Sequence, residues 1–175
     1  IGLDYGFLNN RISGSVEYYW KNTKDLLSSV STAAGTNFSN IYTANIGEMK
    51  NKGLEFNVEA TAIQSKNFTW KVGYNITFND SEITKLTASY NPDYPGLGAG
   101  SANYGSNATV LQKDQVGQLP KTFWLYQQVY DANGKPIQYA FVDRNNDGVI
   151  TEADRYFTDK SPMAKTFMGF SSQLI

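Results

Sequence analysis

The sequence predicts an all-β protein: an antiparallel up-and-down meander that forms part of a transmembrane β-barrel with long extracellular loops. Three observations carry this. Trp70, Val72, Tyr74, Ile76 and Phe78 are apolar, while Lys71, Gly73, Asn75, Thr77 and Asn79 between them are polar or small. That is the period-two pattern of a strand with one greasy and one wet face. The pattern recurs in Leu54, Phe56, Val58, Ala60 and Ala62, and again in Ile12, Gly14, Val16, Tyr18 and Trp20. Each run is about as long as a tilted strand needs to cross a bilayer. Finally, short connections alternate with long ones, as periplasmic turns alternate with extracellular loops in outer-membrane barrels.

The elements follow in order. Strands are expected near residues 2–8 and 11–21, joined at Asn9-Asn10, because Asn tolerates positive φ. That turn pairs Phe7 with Ile12, Tyr5 with Gly14 and Leu3 with Val16, so the apolar sets of both strands share one face. Residues 24–51 then read as an extracellular excursion. The next strands, near 53–62 and 68–79, are joined by a five-residue connection, Ile63 to Asn67. It places Ala60 opposite Trp70, Val58 opposite Val72 and Phe56 opposite Tyr74; a four-residue loop would turn one strand inside out. Residues 80–165 form a second excursion. Within it Pro92 to Ser106 reads as irregular, and Gly96 to Gly100 lacks the flanking strand and helix of a phosphate cradle. Thr122–Tyr130 and Ile137–Val142 read as a hairpin over 122–142 about Asn133-Gly134. A last strand covers 166–175.

Composition narrows the function. The 175 residues suffice for one domain. Hydrophobic residues make up 41% and mean hydropathy is -0.43, with no apolar run long enough for a membrane helix, so a membrane role must use strands. Aromatic residues reach 14%, which suits the girdles of a barrel and also suits β-structure in general. A net charge of -1 with cations scattered among acids argues against nucleic acid as a partner. The absence of cysteine leans towards a bacterial source, and the absence of histidine excludes a Ser-His or Cys-His pair and His-ligated zinc within this chain. The chain opens at Ile1 and closes at Ile175 inside apparent strands, so it is expected to be a piece of a longer protein.

Several segments then resemble one family. They are Leu3-Asp4-Tyr5-Gly6-Phe7-Leu8-Asn9-Asn10-Arg11 with Tyr18-Tyr19-Trp20-Lys21, and Asn45-Ile46-Gly47-Glu48-Met49-Lys50-Asn51-Lys52-Gly53-Leu54-Glu55. Val142-Asp143-Arg144-Asn145-Asn146-Asp147-Gly148, Asp154-Arg155 and Lys160-Ser161-Pro162 follow. In this order they resemble the C-terminal part of the barrel of SusC/RagA-like TonB-dependent transporters of the Bacteroidetes outer membrane. The resemblance implies location in the cell outer membrane, against the lipid bilayer, and energy-coupled import of oligosaccharide or peptide cargo. It also implies a SusD-like surface lipoprotein as lid, and a TonB complex engaging parts absent from this chain.

Three groups of residues are candidates for chemistry. Asp143, Asn145, Asp147, Gly148 and Asp154 hold positions 1, 3, 5, 6 and 12 of an EF-hand-type loop over 143–154, with the Val149 carbonyl at position 7. Calcium is therefore an expected structural ion, converging on these oxygens; the plain alternative is a polar Asn-Asp-Gly turn. Glu17, Glu55 and Glu59 resemble a carboxylate pair for glycoside hydrolysis, but a wet barrel face is their ordinary place, and no enzyme activity is expected. Tyr90, Tyr94, Tyr104, Trp124, Tyr126, Tyr130 and Tyr139 crowd the long loops, either to contact cargo or a partner or to pack the loops together. The rival to the whole reading is a secreted, calcium-stabilised β-sandwich that binds glycans.

Overall fold

The computed structural model describes residues 1–31, 35, 38–88, 94–104 and 107–175. Among them the strands are β1 (Gly2–Phe7), β2 (Ile12–Ser31), β3 (Ile41–Gln64), β4 (Thr69–Lys85), β5 (Leu97–Tyr104), β6 (Asn107–Asp114), β7 (Thr122–Tyr126), β8 (Gln128–Tyr130), β9 (Pro136–Phe141), β10 (Arg155–Phe157) and β11 (Thr166–Leu174). A large antiparallel sheet runs β1-β2-β3-β4-β11 and is open at both edges. A smaller loop sheet runs β10-β7-β6-β5, and β8 pairs with β9 alone.

Register makes the large sheet two-faced. Leu3, Val16, Phe56, Ile76 and Met168 lie in one cross-strand row, and the next row along the strands is Asp4, Ser15, Asn57, Asn75 and Gly169. Successive rows point to opposite faces, so Trp70 and Lys71 lie on opposite sides. On the polar face the Tyr19 phenol donates to Asn79 Oδ1 at 2.8 Å and Ser81 donates to Asn51 Oδ1 at 2.6 Å. The Tyr19 hydroxyl lies across Gly53, where a Cβ would collide with it. On the apolar face Leu3, Trp20, Phe78 and Phe170 are 66%, 68%, 47% and 73% exposed. No second layer covers that face among the described residues; the buried apolar side chains are Ile83, on the opposite face where the loop sheet meets β4, and Leu86 just beyond β4.

The first hairpin has the register its turn dictates: Phe7 pairs with Ile12, Tyr5 with Gly14 and Leu3 with Val16. Leu8, Asn9 and Asn10 all take positive φ. The second hairpin corrects the expectation. Its connection is four residues, Ser65 to Phe68, closed by Ser65 N donating to the Phe68 carbonyl at 2.8 Å. A bulge at Ala62, between the pairs Thr61↔Lys71 and Ile63↔Trp70, absorbs the odd residue. The faces still match, but the register is displaced by two: Val58 pairs with Tyr74 and Phe56 with Ile76. The Arg11 guanidinium donates to the carbonyls of Thr61 and Ala62, at 3.2 and 3.5 Å.

Both expected excursions contain more strand than loop. Within 24–51, β2 continues to Ser31 and β3 begins at Ile41, with Val30 paired to Tyr42 across a register shift near Asp25. Beyond Trp20 the alternation fades but pairing persists, and Ser28 and Gly47 are buried where the Ser28 hydroxyl donates to the Leu86 carbonyl at 3.3 Å. Within 80–165, β4 runs on to Lys85, and β5 occupies part of the stretch expected to be irregular. The hairpin expected over 122–142 divides. β7 pairs with β6 and β10, while the Asn133-Gly134 turn joins only β8 and β9. Ile83 exchanges main-chain hydrogen bonds with Gly117 and Gln118, at 2.8 and 3.0 Å, tying the loop sheet to the free edge of β4 above β11.

Candidate functional site

The polar face carries Asp4, Glu17, Glu55 and Glu59. Glu17 stands directly opposite Glu55, and Glu59 lies opposite Ser13. At the turn end of this face a concavity of about 170 Å³ is lined by residues including Arg11, Glu59, Lys71 and Gln173.

Arg155 organises the loop sheet. Its side chain is 7% exposed. One Nη donates to the Val110 carbonyl at 2.8 Å, linking β10 to β6. Its guanidinium carbon lies 4.6 Å from the Trp124 ring centre and 4.7 Å from that of Tyr126. Lys113 Nζ sits 3.4 Å from the same Trp124 ring. Burial pushes the Lys113 ammonium pKa down; Glu152 opposes that shift and Arg155 adds to it. Arg155 was legible only as half of the Asp154-Arg155 pair, because its role depends on three strands meeting.

The aromatic candidates do not form one surface. Trp124 and Tyr126 are half-buried in the loop sheet, with Tyr126 5.1 Å from Phe141. Tyr94 is half-buried, burial raises its pKa, and its carbonyl accepts from Gln115 at 3.0 Å. Tyr130 and Tyr139 project from the β8–β9 hairpin, 59% and 85% exposed, with Tyr139 at φ 60. Tyr104 ends β5, and Tyr90 lies outside the described residues.

The EF-hand-type segment is a tight turn wired by its own N–H groups. Asp143 Oδ2 accepts from Gly148 at 2.7 Å, Asp147 Oδ1 from Val149 at 2.8 Å, and Asn145 donates to Asp147 Oδ2 at 2.8 Å. Asp154 is fully buried; it accepts from Arg144 and Thr151, both at 2.8 Å, and closes a capping box with Thr151. The Thr151 N–H holds its carboxyl below the usual aspartate range against the opposing effect of burial, helped by Arg144, Asn145 and Asp143. Among the described residues Asp143, Asp147 and Asp154 do not converge as a cluster of three metal-ligating side chains. Val149 is 60% exposed.

A two-faced open sheet with an uncovered apolar side has the form of a section of barrel wall. The family model "TonB dependent receptor-like, beta-barrel" matches residues 1–161. The chain belongs to this family. It is 47% identical over 173 residues to TonB-dependent receptor SusC of Bacteroides thetaiotaomicron, covering 99% of this chain and 17% of SusC. It is 39% identical over 155 residues to TonB-dependent receptor P39 of Formosa agariphila, covering 85% of this chain and 15% of P39. The chain thus spans about a sixth of the length of these relatives. The fold matches the RagAB peptide importer in its open-open state with a TM-score of 0.70 at 24% identity, over 99% of this chain and 18% of that one. The wall stands in the outer membrane, and lipid is the solvent of its apolar face.

Proposed function

We propose that this chain is a wall section, with its extracellular loops, of an energy-coupled importer of glycan fragments or peptides. The observation that carries this is 47% identity to SusC along nearly the whole chain. The two-faced sheet supplies the physical basis: apolar rows for lipid and a carboxylate-, amide- and hydroxyl-lined face for an aqueous lumen. Short turns at Asn9-Asn10 and Ser65–Phe68 lie on the periplasmic side, and the loop sheet on the outer side. A SusD-like lipoprotein closes over that side, and the TonB complex engages parts of the receptor outside this chain. The chain performs no catalysis. Deleting the parent gene should abolish growth on one glycan or peptide source and spare growth on simple sugars; unchanged growth on every such source, or turnover of a glycan by the purified protein, would overturn the reading. Against the secreted-sandwich alternative stands the uncovered apolar face: the parent protein should stay in the membrane fraction until detergent is added.

We also propose a structural calcium ion at the 143–154 loop. Its support is the spacing of Asp143, Asn145, Asp147 and Asp154 within one hydrogen-bonded turn. The ion would rigidify the loop, with the Val149 carbonyl in its shell. Titration calorimetry on the parent receptor tests this: calcium-dependent heat should vanish in an Asp143→Ala, Asp147→Ala double variant.

A further inference from the structure

On the lipid side of the sheet the rows change character abruptly. The row Val16, Phe56, Ile76 and Met168 is apolar, and the next on that face is Tyr18, Leu54, Phe78 and Thr166. Above them the same face carries Trp20, Lys52 and Asp80, then Asn22, Lys50 and Glu82. Tyr18, Trp20, Lys50, Lys52, Asp80 and Glu82 line an open groove of about 250 Å³. Tyr18 and Trp20 are 48% and 68% exposed at its apolar end. Lys52 is held by Asp80 at 3.3 Å. Lys50 is exposed and stands opposite Glu82 in register, with no ion pair to it among the described residues.

We propose that this groove binds a phosphate-bearing lipid head group of the outer leaflet, an inference that rests on the barrel reading above. The groove is continuous with the apolar band, so its occupant must be amphipathic along one axis. Acyl chain would lie over Val16, Leu54 and Phe78, and the polar head would sit level with the lysines. A soluble anion has no use for the first half of that ladder, and a soluble protein would have to displace lipid to reach it. Lys50 supplies the uncommitted cation for a phosphate oxygen, and Lys52 can swing from Asp80 because both side chains are more than half exposed. Asp80 and Glu82 keep the groove near neutral overall, so its pull on a phosphate is short-range and acts through Lys50. Trp20 and Tyr18 sit at the depth where rings straddle apolar and wet layers.

The test uses the intact receptor in nanodiscs of a neutral glycolipid, doped with a brominated phospholipid or, in a parallel series, with a brominated neutral glycolipid. The difference in fluorescence between wild type and Trp20→Phe isolates Trp20. Quenching by the brominated phospholipid should correspond to about fivefold enrichment near Trp20, the equilibrium equivalent of one lysine at a phosphate-bearing surface. In a Lys50→Gln, Lys52→Gln variant it should fall to the bulk value. The neutral brominated lipid should quench at the bulk value in both proteins. Equal quenching by the two lipids in wild type, or enrichment unchanged in the double variant, would overturn the head-group site while leaving the barrel reading in place. Quenching by neither lipid would overturn both. Retained heat-modifiable migration of the double variant shows that it is folded.

Discussion

The Arg155 guanidinium joins three strands of the loop sheet through one carbonyl bond and two aromatic faces. Removing it should cost the loop sheet about 2–4 kcal/mol, combining a charge-assisted hydrogen bond with partly desolvated cation–π contacts. In Arg155→Ala the amides of β6, β7 and β10 should exchange faster while those of β2 and β3 hold. Arg155→Lys should rescue little, because an ammonium cannot stack on rings and reach Val110 with the same planar fork. Asp154 gives a pH signature. Its folded pKa is depressed, so its stabilising contribution is complete above the ordinary aspartate value near about 4 and is lost as pH falls through the lower folded value. In calcium-free buffer the 143–154 amides should stay protected at pH 5 and open only in strong acid. Asp154→Asn should open them already at neutral pH, since one amide oxygen cannot serve both Arg144 and Thr151.

Between β3 and β4 the bulge decides what the hairpin tolerates. Deleting Ala62 removes the unpaired residue and leaves Thr61↔Lys71 and Ile63↔Trp70 contiguous, so every face is kept. Deleting Val58 instead shifts the rest of β3 by one and turns its apolar set towards the polar face. The Ala62 deletion should therefore assemble as a heat-modifiable barrel, and the Val58 deletion should aggregate. The difference also marks how far the sequence is readable. Rows from Val16 to Phe78 announce themselves because lipid on one side and water on the other enforce alternation. The upper parts of β2 and β3 lie beyond that band and carry no such mark, and only cross-strand pairing reveals them. The bulge was hidden for another reason: a five-residue loop and a four-residue loop with one bulged residue preserve the same faces. The loop sheet was obscured because β7 finds its partners in β6 and β10, distant in sequence, rather than in the adjacent β9. Of the candidate site, the turn over 143–154 could be read from its spacing, whereas Arg155 could not.

For the molecule as a whole, the test of facing is chemical. Cysteine placed at Val58 or Ile76 should react with a lipid-soluble maleimide in intact membranes and resist a water-soluble one. Cysteine at Ser15 or Asn57 should show the opposite preference where the lumen admits the reagent. The same reactivity at neighbouring positions 57 and 58 would contradict a two-faced wall. The paired strands do not stop at the lipid: from Trp20 to Ser31, β2 climbs about 35 Å along its own axis, and β3 descends beside it from Ile41. A stiff ribbon of that height acts as a stand-off. Even at a tilt of about 45° it lifts its upper end roughly 25 Å beyond the level of Trp20, so a reagent too large to enter the bilayer can still meet it.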